Sequence, residues 1–247
     1  MARTIEVPVL RRGYHCDPAR GGCLVEMAGT LPGGPWTDRS ERLHPLLATV
    51  CRAVNDRLAD TARGTVLIAV PWLAGTAMAG TAMAGTATAG TATARTATAG
   101  TATARTAAAG TTAADTPMAG RALGAALARL VASHAGMPAP ARALRGRAAR
   151  QAVRRLAARP DADERLRALL ADAINLARTS AGLPVMPAGA LDRPLTVTRL
   201  PVRVEAVRDT ELFTVLHCRA ELAGWPAELR AAWQAAQPPG RRCPVAG

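Results

Sequence analysis

Apolar positions recur along this chain at two spacings, and these divide it into helical and extended stretches. From Pro45 onward, Leu47, Val50, Val54 and Leu58 fall on one stripe with Cys51 beside it, which predicts an amphipathic helix. Pro45 suits its first turn, where a missing N–H costs nothing. Asn55, Asp56 and Arg57 break the stripe, and the helix is expected to end near Asp60. Asp60 or Thr61 is placed to cap a further helix through Val70, although TVLIAV is β-branched enough for a strand. Upstream, Cys23–Thr30 reads as a short helix with Leu24 and Met27 inward and Glu26 between them. Thr4–Leu10 reads as a short strand that Pro8 confines to an edge, and Leu31–Asp38 as a turn-rich connection.

The helical pattern returns at Leu123, Leu127, Leu130 and Val131, in a helix expected to end near His134 ahead of Pro138 and Pro140. An Arg-rich helix follows within 141–160. Asp161 and Glu164 then have N-terminal cap spacing, ahead of a stripe of Leu166, Leu169, Leu170, Ala173 and Ala177. Gly182 and Pro184 supply the stop. Residues 195–207 alternate and are β-branched, Asp209-Thr210 suits a turn, and Phe213–Cys218 can pair back as a hairpin. Pro226 opens a last short helix. The expected fold is therefore mainly α, a helical bundle-like core with a C-terminal β-hairpin.

Residues 76–110 interrupt this pattern with seven consecutive pentads of the type TAMAG, TATAG and TATAR. A five-residue period keeps no constant face on a helix or a strand. A pentapeptide β-helix needs a large apolar residue at each pentad centre, and here the centre is mostly Thr or Ala. Seven pentads also make too few coils to stack. The expected organisation is an N-terminal helical block (1–75), a low-complexity insertion (76–117) that is disordered or weakly helical, a helical segment with hairpin and short helix (118–237), and a mobile tail (238–247).

Composition changes the picture in three ways. Aromatics are only 2% of the 247 residues, so Ala, Leu and Val must fill the core, which favours close-packed helices. Every basic residue is Arg, as G/C-heavy codons produce, so part of the Arg excess is mutational bias. The net charge of +13 is also uneven: residues 61–160 hold twelve Arg against Asp115 alone, while the segments on either side each come to +1. A polyanion contact is therefore sought in the middle third. There Arg142, Arg145, Arg147, Arg150, Arg154, Arg155 and Arg159 crowd one predicted helix, and such a stripe gives salt-dependent, sequence-blind affinity for phosphates. The partner class is nucleic acid or another polyanion, with a protein partner open. A membrane is not expected, because no run reaches the roughly 18 apolar residues of a span. No signal peptide is evident, and the odd count of five cysteines suits reduced thiols in the cytoplasm.

Catalytic patterns are missing: there is no G-x-S-x-G, no Walker loop and no G-x-G-x-x-G after a strand, so the reading leans away from an enzyme, and no cofactor is expected. The alternative class is a thiol-redox or zinc protein centred on His15, Cys16 and Cys23. Cys16 and Cys23 do not have knuckle spacing, but the place of Cys23 before a helix can lower its thiol pKa through the helix dipole. Glu26, Asp38, Asn55 and Asp56 are the polar residues to follow, either as caps and cross-links of the N-terminal helices or as the lining of a small-ligand pocket.

The block quoted as Gly22-Cys23-Leu24-Val25-Glu26, Trp36-Thr37-Asp38 and Arg52-Ala53-Val54-Asn55-Asp56-Arg57 resembles a group of uncharacterised actinobacterial (high-GC Gram-positive) proteins. These share a GC-x-x-E block, a Trp-Ser/Thr-Asp turn, a Pro-x-C-x-x-P step and a helix ending in Asn-Asp. The Pro-Trp-Leu-Ala-Gly-Thr ending at Thr76 also resembles the close of that block, as the last 50 or so residues loosely resemble its tail. Where the group has Pro-x-Cys, this chain has Ser40-Glu41-Arg42, so one cysteine of any pair is missing. The resemblance implies no known activity. It does imply that the pentads interrupt an older fold just after Thr76.

Overall fold

The computed structural model describes residues 2–13, 15–30, 32–37, 43–74, 76, 116–138, 146–193, 195, 197–208 and 214–237. The expectations for Asp38, Arg142, Arg145, the pentads beyond Thr76, the Asp209-Thr210 turn and the tail from Pro238 lie outside the described residues. The chain is mainly α-helical, with a small antiparallel sheet.

The helical stripes become the core. Helix α1 (Leu24–Thr30) is buried along its whole length. Helix α2 (Pro45–Arg57) starts on Pro45 and buries Leu47, Val50, Cys51 and Val54 completely, with Leu58 just beyond its end. The segment after it is helical rather than extended. It runs through α3 (Asp60–Arg63), a 3-10 turn (Gly64–Ile68) and α4 (Ala69–Leu73). The β-branched run yields because Val66, Leu67, Ala69, Val70 and Leu73 are all buried on several sides, which a short helical coil permits. Asp60 lies inside the first turn, and the cap position belongs to Ala59.

Helix α5 (Thr116–His134) turns Leu123, Leu127 and Val131 inward, and α6 (Gly146–Ala157) does the same with Ala149, Ala152, Val153 and Leu156. Helix α7 (Ala162–Ser180) buries Leu166, Leu169, Leu170, Ala173, Ile174 and Ala177. It ends as a Schellman motif: Gly182 N–H donates to Thr179 O and Leu183 N–H to Arg178 O, with Gly182 at φ +65°. Asp161 holds the cap position of α7, but its carboxylate pairs with Arg165 Nε at 2.6 Å instead of capping. Helix α6 packs against α2, α5 and α7, and α8 (Ala227–Ala236) against α4.

The extended stretches depart most from expectation. Strands β3 (Arg199–Arg208) and β4 (Thr214–Ala220) pair antiparallel, as the alternation predicts. They form the middle of a four-stranded sheet rather than a free hairpin, in the order β1-β3-β4-β2. Strand β1 (Ala2–Pro8) takes the outer side of β3, with Pro8 on the edge. The stretch read as a turn-rich connection supplies β2 (Pro32–Pro35), which pairs with β4 across a register shift between Pro32 and Gly34. Its Pro-Gly-Gly-Pro sequence has no strand propensity; its partner's open edge imposes the extended backbone. Leu200, Val202, Val204 and Cys218 face the core from the sheet.

Candidate functional site

The outer face of α6 carries the described part of the Arg cluster. Arg147, Arg150, Arg154 and Arg155 are exposed on the helix, and Arg159 is exposed just past its end. The opposite face is the fully buried Ala149, Ala152, Val153 and Leu156, so packing against α2 fixes which way the Arg-bearing face of the helix points. Arg147 and Arg155 are eight residues apart, about 12 Å along the axis at 1.5 Å per residue. Among the described residues none of the five pairs with a carboxylate. The described ion pairs formed by Arg use Arg12, Arg63, Arg165 and Arg167 instead. An uncompensated cationic strip on a rigid helix is thus left facing solvent.

The described N-terminal polar residues each tie the loop after β1 to a helix, Glu26 and Asn55 from buried positions and Asp56 from a half-buried one. Glu26 is fully buried. Its carboxylate accepts from Cys23 N–H at 2.7 Å and from His15 N–H at 2.7 Å, and it contacts His15 Nδ1 at 3.0 Å. Cys23 immediately precedes α1 and Glu26 sits at its third position. The bond from Cys23 N–H is therefore one half of a capping box, which explains the C-x-x-E spacing physically. Trp36 Nε1–H donates to His15 O at 2.7 Å. A side chain at Gly22 would meet the Trp36 ring at 2.8 Å, so only glycine fits there. Asn55 is also fully buried, and its Nδ2 donates to Arg11 O at 2.8 Å, while Asp56 Oδ1 accepts from Gly13 N–H at 2.9 Å. Together Glu26, Asn55 and Asp56 pin the loop after β1 onto α1 and the end of α2.

Three of the four described thiols, Cys23, Cys51 and Cys218, are placed unlike reactive ones. Cys23 is 1% exposed, and burial followed by the Glu26 carboxylate pushes its thiol pKa up, the reverse of the helix-dipole expectation. Dipole stabilisation of a thiolate needs a polar or open setting, and this one is apolar with a carboxylate three residues away. Cys51 and Cys218 are pushed up to about 12 by burial, while Cys16 is exposed. Among the described residues no three His, Cys, Asp or Glu side chains group closely enough to hold a metal ion, so His15, Cys16 and Cys23 do not form such a set.

These buried thiols set an alkaline limit. Below pH 9 each thiol is protonated folded and unfolded, so its contribution is fully present. Above pH 9 the unfolded chain sheds protons that the native chain retains, and stability falls as pH rises toward 12. The expected loss at pH 10 is about 1 kcal/mol per thiol. Urea midpoints at pH 8 and pH 10 check it, with a smaller drop expected for Cys51→Ala; equal midpoints would contradict it.

Arg178 was not singled out by sequence reading. It is fully buried near the end of α7, lies over the Trp72 ring at 5.0 Å, and has no carboxylate partner among the described residues. Its guanidinium donates to Trp72 O at 2.7 Å, Ala74 O at 3.5 Å, Pro184 O and Ala236 O. Burial lowers its pKa to about 10. The Trp72, Ala74 and Ala236 carbonyls lie at the ends of α4 and α8, where the helix macrodipole favours a cation, and Pro184 lies just past α7. The signal was present: Leu170, Ile174 and Arg178 stand at i, i+4 and i+8, which puts the Arg on the apolar face.

A shallow cleft of about 590 Å³ lies where α2 ends and α7 begins, lined by Arg12, Arg57, Arg167, Asp161, Asp163 and Glu164. Its charges offset one another, and Asp163 already accepts from Ala59 N–H at 3.0 Å. Glu26, Asn55 and Asp56 do not line it. No helix of the described residues is long and apolar enough to cross a membrane. No protein-family model, curated protein or solved structure matches the chain.

Proposed function

We propose that this is a non-enzymatic intracellular binding protein that contacts polyanions through the outer face of α6, without reading sequence. The observation that supports this is the strip of Arg147, Arg150, Arg154 and Arg155, exposed together with no carboxylate partner among the described residues. Guanidinium groups held this way neutralise phosphates or sulfates and release their counterions, so affinity falls steeply with salt. The helical body, read as bundle-like, serves as the rigid mount. On this reading the chain is a cytoplasmic member of the actinobacterial group that its opening block resembles.

Binding to DNA of arbitrary sequence, measured across a salt series, tests the proposal. The native protein should bind with a steep salt dependence. Replacing Arg147, Arg150, Arg154 and Arg155 by Gln should flatten the log–log slope by about one per Arg removed. Affinity that is insensitive to salt, or unchanged in the substituted protein, would overturn it.

A further inference from the structure

The polyanion reading leaves its ligand open among duplex nucleic acid, a single strand and an anionic lipid surface. We infer that the occupant is the phosphate backbone of duplex nucleic acid. The inference rests on the preceding proposal and narrows it on three observations.

The first concerns stacking. Proteins that bind single strands combine a basic track with aromatic side chains on which bases stack. Here Trp36, Trp72, Trp225 and Trp233 are each 7% exposed or less, and their rings serve the core. Trp225 and Trp233 pack edge to face against each other, and Trp72 lies under Arg178. No aromatic residue occurs in α6. Among the described residues no aromatic ring is exposed for a single strand to stack on, which leaves it the electrostatic part of the affinity.

The second concerns lipid. A helix that lies in a membrane surface inserts its apolar face among the acyl chains. The apolar residues of α6, Ala149, Ala152, Val153 and Leu156, are all 0% exposed within the core. The face left to solvent is Arg and Gln151, with nothing to insert. A lipid surface would meet the charge alone.

The third concerns charge density. With stacking and insertion both removed, affinity follows the density of the ligand's charge. Duplex DNA carries one charge per about 1.7 Å of axis and gains more from each neutralised phosphate than a single strand does. The roughly 12 Å from Arg147 to Arg155 spans about three and a half axial steps of about 3.4 Å, so four consecutive phosphates of one strand fit along α6 when it lies parallel to the duplex axis. Because core packing holds α6, its backbone does not have to order on binding, and only the four Arg side chains do.

The experiment compares three probes with the full chain: a labelled duplex of about 20 base pairs, the same-length single strand, and vesicles containing phosphatidylserine. Each is titrated between about 50 and 200 mM salt. The duplex is expected to bind at least about fivefold tighter than either other probe, with a log–log slope near −3.6 for four phosphates. Arg150→Gln with Arg154→Gln should bring that slope to about −1.8 while leaving the thermal midpoint unchanged. Single-strand or vesicle binding equal to or tighter than duplex binding would overturn the duplex assignment and leave the polyanion proposal standing. Absence of salt-dependent binding to all three would remove both.

Discussion

Arg178→Ala is expected to cost this protein about 4 kcal/mol of stability, a large part of the roughly 5–15 kcal/mol that holds a domain folded. The guanidinium donates to Trp72 O, Pro184 O and Ala236 O from a position with no solvent access. Truncation leaves those carbonyls buried without donors, at about 1–3 kcal/mol each before relaxation. It also empties the space over the Trp72 ring. Arg178→Met fills that space and removes the desolvated charge, so it should fall between the native protein and the Ala variant. Arg178→Lys should not restore stability, because one ammonium cannot span carbonyls from three separate segments as a planar fork does. Urea midpoints of the three variants check the order. A Lys variant as stable as the native protein would show that the charge matters and the fork does not.

Glu26→Ala is expected to cost about 3 kcal/mol and to loosen the loop after β1. Three donors depend on this one carboxylate: the Cys23 amide, the His15 amide and the His15 ring. Hydrogen bonds to a charged acceptor contribute about 1.5–3 kcal/mol each, and the buried Cys23 amide is left without an acceptor. Because Trp36 Nε1–H is anchored on His15 O, its fluorescence should shift red as that loop opens. Glu26→Gln keeps one acceptor oxygen and should lose about half as much. Hydrogen exchange at the His15 and Cys23 amides reads the same event locally. Unchanged protection of both amides in Glu26→Ala would contradict the capping role.

Much of the helical body was legible because its apolar stripes are local. Leu47, Val50 and Val54, or Leu166, Leu169 and Ala173, repeat at 3.6 residues within a single element, and burial follows directly. The sheet was legible only in its middle. Strands β3 and β4 are neighbours in sequence, but β1 joins β3 across nearly 200 residues, and no local pattern records such a pairing. Strand β2 carries the opposite pattern, a Pro-Gly-Gly-Pro turn signature that an open sheet edge overrides. At the candidate surface the Arg residues could be named from sequence. Their shared exposure and their freedom from acidic partners could not, because both depend on which face α2 covers. Arg178 was passed over for the same reason in reverse. A basic residue in the last turn of a helix ordinarily answers the macrodipole from the surface, and this one does so from inside.

The most direct test of the α6 surface is charge reversal. Arg150→Glu with Arg154→Glu alters only exposed side chains, so the thermal midpoint should stay within about a degree or two of the native value. Binding to an arbitrary duplex at about 50 mM salt should then disappear. Full retention of that binding by the folded variant would place the contact elsewhere on the molecule and contradict the account.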